Sequence, residues 1–382
     1  MKDITAGPLD GVRVIDLSTV VMGPYAAQIL GDLGADVIKI ESPVDTVRNG
    51  RYRTTPGMTP LSLNVNRNKR SVALNLKDPG ERETALKLID TADVLITNMR
   101  PGALSRLGMD YADVAARNPG LVYAHAQGFR GDSDRAGIAA YDETIQGASG
   151  LVDIANRALG RPVYLPTIIG DKVSSLTIAY SVLAALVHRN ATGEGQRVEV
   201  PMADTMIAFN LVEHLSGHTF VPEEGPTGFT LSMAKGHHAV HTKDGLACVV
   251  PYNPQNFRDF FAAAGRPDLV EDPRVAGERI DPGHSDDLMG LADECASALT
   301  TEEWGEVCAK HSIPFGPVLE LDRAHEDDYV CGGHLLDVVR HPTEGEIRSI
   351  GIPVRFSATP ATVRRQAPLP GADTAEVLKE LS

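Results

Sequence analysis

Asp171 stands where a carboxylate could do chemistry. It follows Gly170 in VYLPTIIGDKVSSLTIAYSVLAALVHR (163–189), between an extended apolar run and a helix with no further acidic residue along it. Read locally, Asp is a strong helix N-cap, worth about 1 kcal/mol. A carboxylate at a helix start has a second use. It is ionised at neutral pH, needs no general base, lies near backbone N–H groups able to hold an oxyanion, and can serve as a covalent nucleophile. Gly170 beside it leaves room for a bulky acyl group to approach the backbone. The two roles are compatible, and local sequence does not separate them.

The other chemistry-bearing residues narrow the field. Lys39, Arg100, Arg106 and the run NRNKR (66–70) fall in or after strand-like segments. In a chain of net charge -15 they are the places where a phosphorylated small ligand could be held, while the same charge argues against a nucleic-acid partner. The turn STVVMGP (18–24) offers only Gly23, not the G-x-G-x-x-G that brings a backbone against a pyrophosphate, which argues against a nicotinamide or flavin cofactor. G-x-S-x-G is absent, which argues against a serine hydrolase. In GHHAVH, His238 sits where H-E-x-x-H requires Glu, and on a strand His237 and His241 share a face that His238 does not. No metal is expected there, only a loop or pocket lining. Cys248, Cys295, Cys308 and Cys331 are scattered without a C-x-x-C pair, as free thiols in a reducing cytoplasm would be.

At 382 residues the chain exceeds one comfortable hydrophobic core, so two or more domains are expected. The first half alternates buried strands with helices: VRVIDL (12–17), a helix from Pro24, DVIKIE (36–41), RSVALNL (70–76), a helix over 79–92, DVLITN (93–98), LVYAHAQ (121–127) and RVEVPM (197–202). That pattern predicts a parallel α/β sheet, with ligands at its carboxyl edge in the loops after Asp16, Glu41, Asn98 and Gln127. A strand-like run from about 165 leads into the apolar helix, which ATGEGQ (191–196) ends. Beyond about residue 215 come a hairpin turning at Asp244-Gly245, helices at PQNFRDFFAAAG and TEEWGEVCAK (the latter with a Thr300–Glu303 capping box), a strand GIPVRF (351–356) and a helix TAEVLKEL (374–381). MKDITAGPLDG lacks the apolar segment of a secretory signal and no run reaches 18 apolar residues, so neither export by that route nor a membrane span is expected.

Together the blocks PLDGVRVIDLSTVVMGPYAAQILGDLGADVIKIESP, NRNKRSVALNLKDPGE, DVLITNMRPGALSRLGM, GDKVSSLTIAYSVLAALVHRNATGEGQRVEVPMAD, SIPFGPVLEL and GIPVRFSATP resemble the class III CoA-transferases, the group of formyl-CoA and carnitine CoA-transferases and the related α-methylacyl-CoA racemases. The resemblance runs over nearly the whole chain. It implies that Asp171 is the aspartate that attacks the donor thioester and then carries CoA. It also implies that Val20, Lys39, Asn98, Met99 and Arg106 line the CoA site with Leu74 near the adenine, and that acyl-CoA is a substrate, with no cofactor permanently bound. The implied fold is a Rossmann-like α/β large domain (1–200) with a parallel sheet, a linker (201–219), a smaller α+β domain (220–320), and a linker and return to the large domain (321–382). Two such chains interlock as a homodimer in this family, without nucleic-acid or membrane partners.

Two positions depart from the formyl-CoA enzyme and a third from the racemases. Ala139 replaces a basic residue two before Tyr141, so a phosphate contact is lost unless another residue, such as Arg135, supplies it. Val21 replaces a glutamine beside the acyl group, which points away from formate and oxalate. The racemases' G-H-D histidine is Tyr141 here, in AAYD, and a phenol of pKa about 10 is a poor base at neutral pH. Val21, Tyr141 and Gly170 are thus the expected substrate pocket. CoA transfer between two carboxylic acids is the favoured activity; a racemase and a non-catalytic CoA-binding protein, with Asp171 only a cap, are the alternatives.

Overall fold

The computed structural model describes residues 7–43, 55–234 and 236–382; residues 1–6 of the segment read above for a leader, and Lys235 of MAKGHHAVH, lie outside them. The chain divides into two compact units, one of residues 1–149, 165–209 and 328–382, the other of 150–164 and 210–327. Two boundaries differ from the sequence reading. Residues 150–164 group with the second unit, and 201–219 is no open linker but is largely helical, with Met202–His214 followed by a 3-10 turn at Ser216–Thr219.

The first unit is built on six parallel strands: β1 (Arg13–Leu17), β2 (Asp36–Glu41), β3 (Lys69–Ala73), β4 (Val94–Thr97), β5 (Val122–Gln127) and β6 (Gln196–Pro201). Their order is β3-β2-β1-β4-β5-β6, a doubly wound sheet whose strand order reverses between β1 and β4. The central strands are buried on both faces, which is why they read as unbroken apolar runs. The helices are α1 (Met22–Asp32), α2 (Pro60–Val65), α3 (Pro79–Asp90), α4 (Pro101–Leu107), α5 (Tyr111–Arg117), α6 (Asp142–Ala148), α7 (Leu151–Leu159, in the second unit) and α8 (Ile169–Thr192). Proline opens α2, α3 and α4, where a missing N–H costs nothing.

The carboxyl-terminal segment completes this unit. Arg364 donates to Gly31 O, Gly34 O and Ala35 O, bonding the carbonyls around the end of α1. Asp373 accepts the Ser71 N–H at 2.8 Å, and Val377 of the last helix is buried in the core beside Ile38 and Val72.

The second unit holds a small antiparallel sheet of β7 (Val240–His241), β8 (Leu246–Val249) and β9 (Phe315–Pro317). The hairpin turns at Asp244-Gly245, and the Thr300–Glu303 capping box is formed. Trp304 stacks on Phe260 with ring centroids 4.2 Å apart and donates its indole N–H to Ala296 O.

Two strand expectations fail for backbone reasons. Residues 165–168 have no strand partner; instead the Gln146 side chain accepts the Leu165 N–H at 2.9 Å and donates toward Leu165 O and Thr167 O. GIPVRF (351–356) is not a strand, and Pro353 within it has no N–H to give a ladder. The structure has in its neighbourhood a hairpin of β10 (Leu336–His341) and β11 (Gly345–Ile350), which the sequence reading missed.

Candidate active site

The switch point between β1 and β4 carries a buried charge row set by strand register. Asp16 lies opposite Lys39, and Lys39 opposite Ser71. Lys69 donates to Asp16 Oδ2 at 2.8 Å, and Lys39 sits 3.4 Å from the same oxygen while donating to Ser18 O at 2.7 Å. Burial acts to raise the Asp16 pKa, but Lys39 and Lys69 outweigh it and hold it at about 2. Lys39 is therefore already engaged, and a phosphate would share its ammonium rather than own it.

This anchored row shapes the loop from β1 to α1. Ser18 bonds Asp16 through both its N–H and its hydroxyl. Asn98 clamps the next residue, accepting Thr19 N–H and donating to Thr19 O, each at 2.9 Å. Val20 then takes φ +67°, a left-handed conformation that costs a β-branched residue about 1–3 kcal/mol. Its side chain is exposed, whereas Val21 behind it is buried. Gly23 is required here, because a Cβ would overlap the Ser18 hydroxyl.

Asp171 is reached from the far end of this loop. It is the third residue of α8 and not its cap; the N-cap is Ile168, with no side-chain bond. Its carboxylate accepts a backbone bond from Met22, the first residue of α1, so it lies against the amino end of a second helix as well as its own. One turn on, the Ser175 hydroxyl is 2.8 Å from Met22 O and 2.7 Å from Asp171 O, tying the two helices together. Burial, then the neighbouring Asp142 and Glu143 carboxylates, outweigh the Met22 N–H and push the Asp171 pKa up to about 6. The room that Gly170 leaves is taken by α6: a Cβ would meet Asp142 Oδ1 at 3.1 Å and Ile145 at 3.4 Å. The expectation that Gly170 opens the backbone to an acyl group on that side is thereby corrected.

Three openings lie along the carboxyl edge of the sheet. A cavity of about 590 Å³ brings together Lys39, Leu74, Met99 and Arg106 with Thr19. A neighbouring cleft of about 280 Å³ holds Thr19, Asn98, Met99, Arg100, Ala139 and the exposed Tyr141. A third, of about 850 Å³, gathers Arg100, Arg106 and Arg197. Val20, Val21, Gly170 and Asp171 are not on these walls. Arg135, named above as a substitute for the base lost at Ala139, lies over the Phe129 ring; Arg100 is the cation in the cleft with Ala139.

Two residues were not singled out by sequence. Asp142 and Gln146 are buried and hydrogen-bonded to each other at 2.6 Å; their i, i+4 spacing after Tyr141 was the available signal. His125 is buried on Met99 O at 2.9 Å, and burial lowers its pKa. His237, His238 and Cys248 line a separate pocket of the second unit, while His241 ends β7; no group of three or more candidate metal ligands occurs among the described residues.

Comparison with known proteins identifies the family. The family model for CoA-transferase family III matches residues 9–374. A formyl-CoA:oxalate CoA-transferase of Streptomyces coelicolor is 32% identical, covering 98% of this chain and 95% of that protein. A succinyl-CoA:glutarate CoA-transferase of Homo sapiens is 28% identical over 98% of this chain and 86% of its own length. Among solved structures, a CaiB/BaiF family protein from Brucella suis superposes with a TM-score of 0.85 at 25% identity, covering 99% of this chain and 100% of that one. The chain belongs to CoA-transferase family III and is a CoA-transferase.

Proposed function

We propose that this enzyme moves CoA between two carboxylic acids through covalent intermediates on Asp171. The observation that carries the reading is the Asp171 carboxylate: partly buried, facing the Met22 N–H at the start of α1, and with a pKa raised to about 6. At pH 7 such a group is about nine-tenths ionised, yet more basic than an ordinary carboxylate. Its oxygen attacks the thioester carbonyl of the donor, and the C–S bond breaks with its electron pair leaving as CoA thiolate. The resulting mixed anhydride is opened by that thiolate at the aspartyl carbonyl, which releases the donor acid and leaves an aspartyl-CoA thioester. The acceptor carboxylate then attacks the aspartyl carbonyl and expels the thiolate. Attack of the thiolate on the acceptor's acyl carbonyl yields the new acyl-CoA and regenerates Asp171. No net proton is consumed. The Met22 N–H is the donor placed to receive charge on the oxyanions formed at either side of Asp171.

CoA is assigned to the openings along the sheet edge, with Leu74 beside the adenine and Arg106 and Lys39 near phosphate. Val20, Asn98 and Met99 border the path toward Asp171. Two relatives named above act on formyl-CoA with oxalate and on succinyl-CoA with glutarate. Val21 in place of a glutamine supports acids less polar or longer than formate, and succinyl-CoA is the donor to try first. Leu176, Tyr180 and Val187 on α8 are each more than half exposed, which supports burial of that helix against a second copy in a homodimer.

The test is mass spectrometry of the protein after incubation with a panel of acyl-CoAs, with Asp171→Ala as control. A CoA adduct or borohydride-trapped change on the Asp171 peptide, lost in the control, is the expected result. Bound acyl-CoA with an unmodified Asp171, at a substrate concentration that supports turnover, would refute the covalent route.

A further inference from the structure

The amino end of α8 carries its acid without a cap of its own. Ile168 has no side-chain oxygen, so the N–H of Asp171 must find another acceptor, and it finds Asp142 Oδ1 at 3.1 Å from the start of α6. Asp142 is 4% exposed; its other oxygen accepts from Gln146 Nε2 at 2.6 Å, and no cation pairs with it among the described residues. Gln146 in turn holds the backbone at Leu165 and Thr167, the approach to α8. Gly170 has no side chain where one would press on Asp142. A buried carboxylate without a counter-ion is costly, and a neutral cap would satisfy the same N–H.

We propose that Asp142 is a positioning residue for Asp171, fixing the nucleophile's backbone from a neighbouring helix and adding negative charge beside its carboxylate. This rests on Asp171 being the nucleophile. After burial, Asp142 is the main influence that keeps Asp171 basic, with Glu143 adding to it. Other packed elements contribute little charge. The first turn of α1 carries no acid or base, Lys172 turns to Thr167 Oγ1, and His125 of β5 faces Arg197 and Glu199 of β6. Removing the charge makes Asp171 a more acidic and weaker nucleophile without touching substrate.

The experiment compares wild type and Asp142→Asn for the pH dependence of adduct formation on Asp171, and for kcat and KM. The expected result is a midpoint moved from about 6 toward 3.8, with a limiting rate about tenfold lower and KM for acyl-CoA within about twofold. An unchanged midpoint, or a loss confined to KM, overturns the proposal. Should Asp142→Asn not fold, Gly170→Ala carries the test: it keeps both carboxylates but takes the 3.1 Å gap, and it must lower the limiting rate with KM unchanged. A wild type that forms no adduct overturns the nucleophile reading itself, whereas a normal wild-type adduct with an indifferent Asp142→Asn overturns only this inference.

Discussion

Replacing Asp171 with asparagine is expected to make the protein more stable at neutral pH while ending covalent transfer. In the folded chain, burial and the Asp142 and Glu143 carboxylates keep the Asp171 proton on until about pH 6, against 3.8 for the free group. Since each pKa unit is worth about 1.4 kcal/mol, ionised Asp171 costs the native state about 3 kcal/mol. The native state binds more protons than the unfolded one between the two pKa values, so this contribution falls as pH rises through that window and is flat above it. The neutral amide of Asp171→Asn has no such penalty. It keeps an oxygen for the Met22 N–H, and the weaker neutral bond and unpaired amide take back about 1 kcal/mol. The net gain is about 2 kcal/mol above pH 6, shrinking to nothing at about pH 4.5. Urea denaturation followed by far-UV circular dichroism, at about pH 5 and about pH 7.5, reads it. A variant no more stable than wild type at the higher pH, or a difference independent of pH, would show that Asp171 is not held in an unfavourable ionised state.

The β1–α1 loop yields further expectations. Gly23→Ala forces a Cβ into the Ser18 hydroxyl and should cost about 2–4 kcal/mol, with acyl-CoA binding lost, as melting and calorimetric titration would show. Asn98→Ala frees both polar groups of Thr19. A loss of about 1–3 kcal/mol and a raised KM are expected, because the clamp before Val20 is gone. Arg106→Gln leaves the fold within about 0.5 kcal/mol of wild type and weakens acyl-CoA binding about tenfold, with a shallower salt dependence. An equal loss for dephospho-CoA substrates and for short acyl thioesters lacking the nucleotide would refute a phosphate role for Arg106.

Much of the sheet was legible because parallel strands buried on both faces show as continuous β-branched runs; DVIKIE is β2 to the residue. The capping box at Thr300 and the Asp244-Gly245 turn were legible because their partners are three residues away or fewer. The β10–β11 hairpin was not, since LDVVRH and GEIRSI lie mostly at the surface and carry little apolar alternation. Asp171 itself stood out as an acid opening an apolar helix, but its position inside the first turn did not, because a cap is inferred from local order and this one comes from a different helix.

By itself, then, the sequence determined the strand and helix alternation, the carboxylate at the start of α8 and the likeness to the CoA-transferases, all of which are written in neighbouring residues or in long ordered blocks. Only the tertiary structure decided the upward push on the Asp171 pKa, the left-handed turn at Val20, the prior commitment of Lys39 to Asp16, and the contact of Asp142 with the Asp171 N–H. Each depends on desolvation or on a contact between residues far apart in the chain, 29 positions in the case of Asp142 and Asp171. Neither solvent exclusion nor such a distance is encoded in any local pattern of side chains.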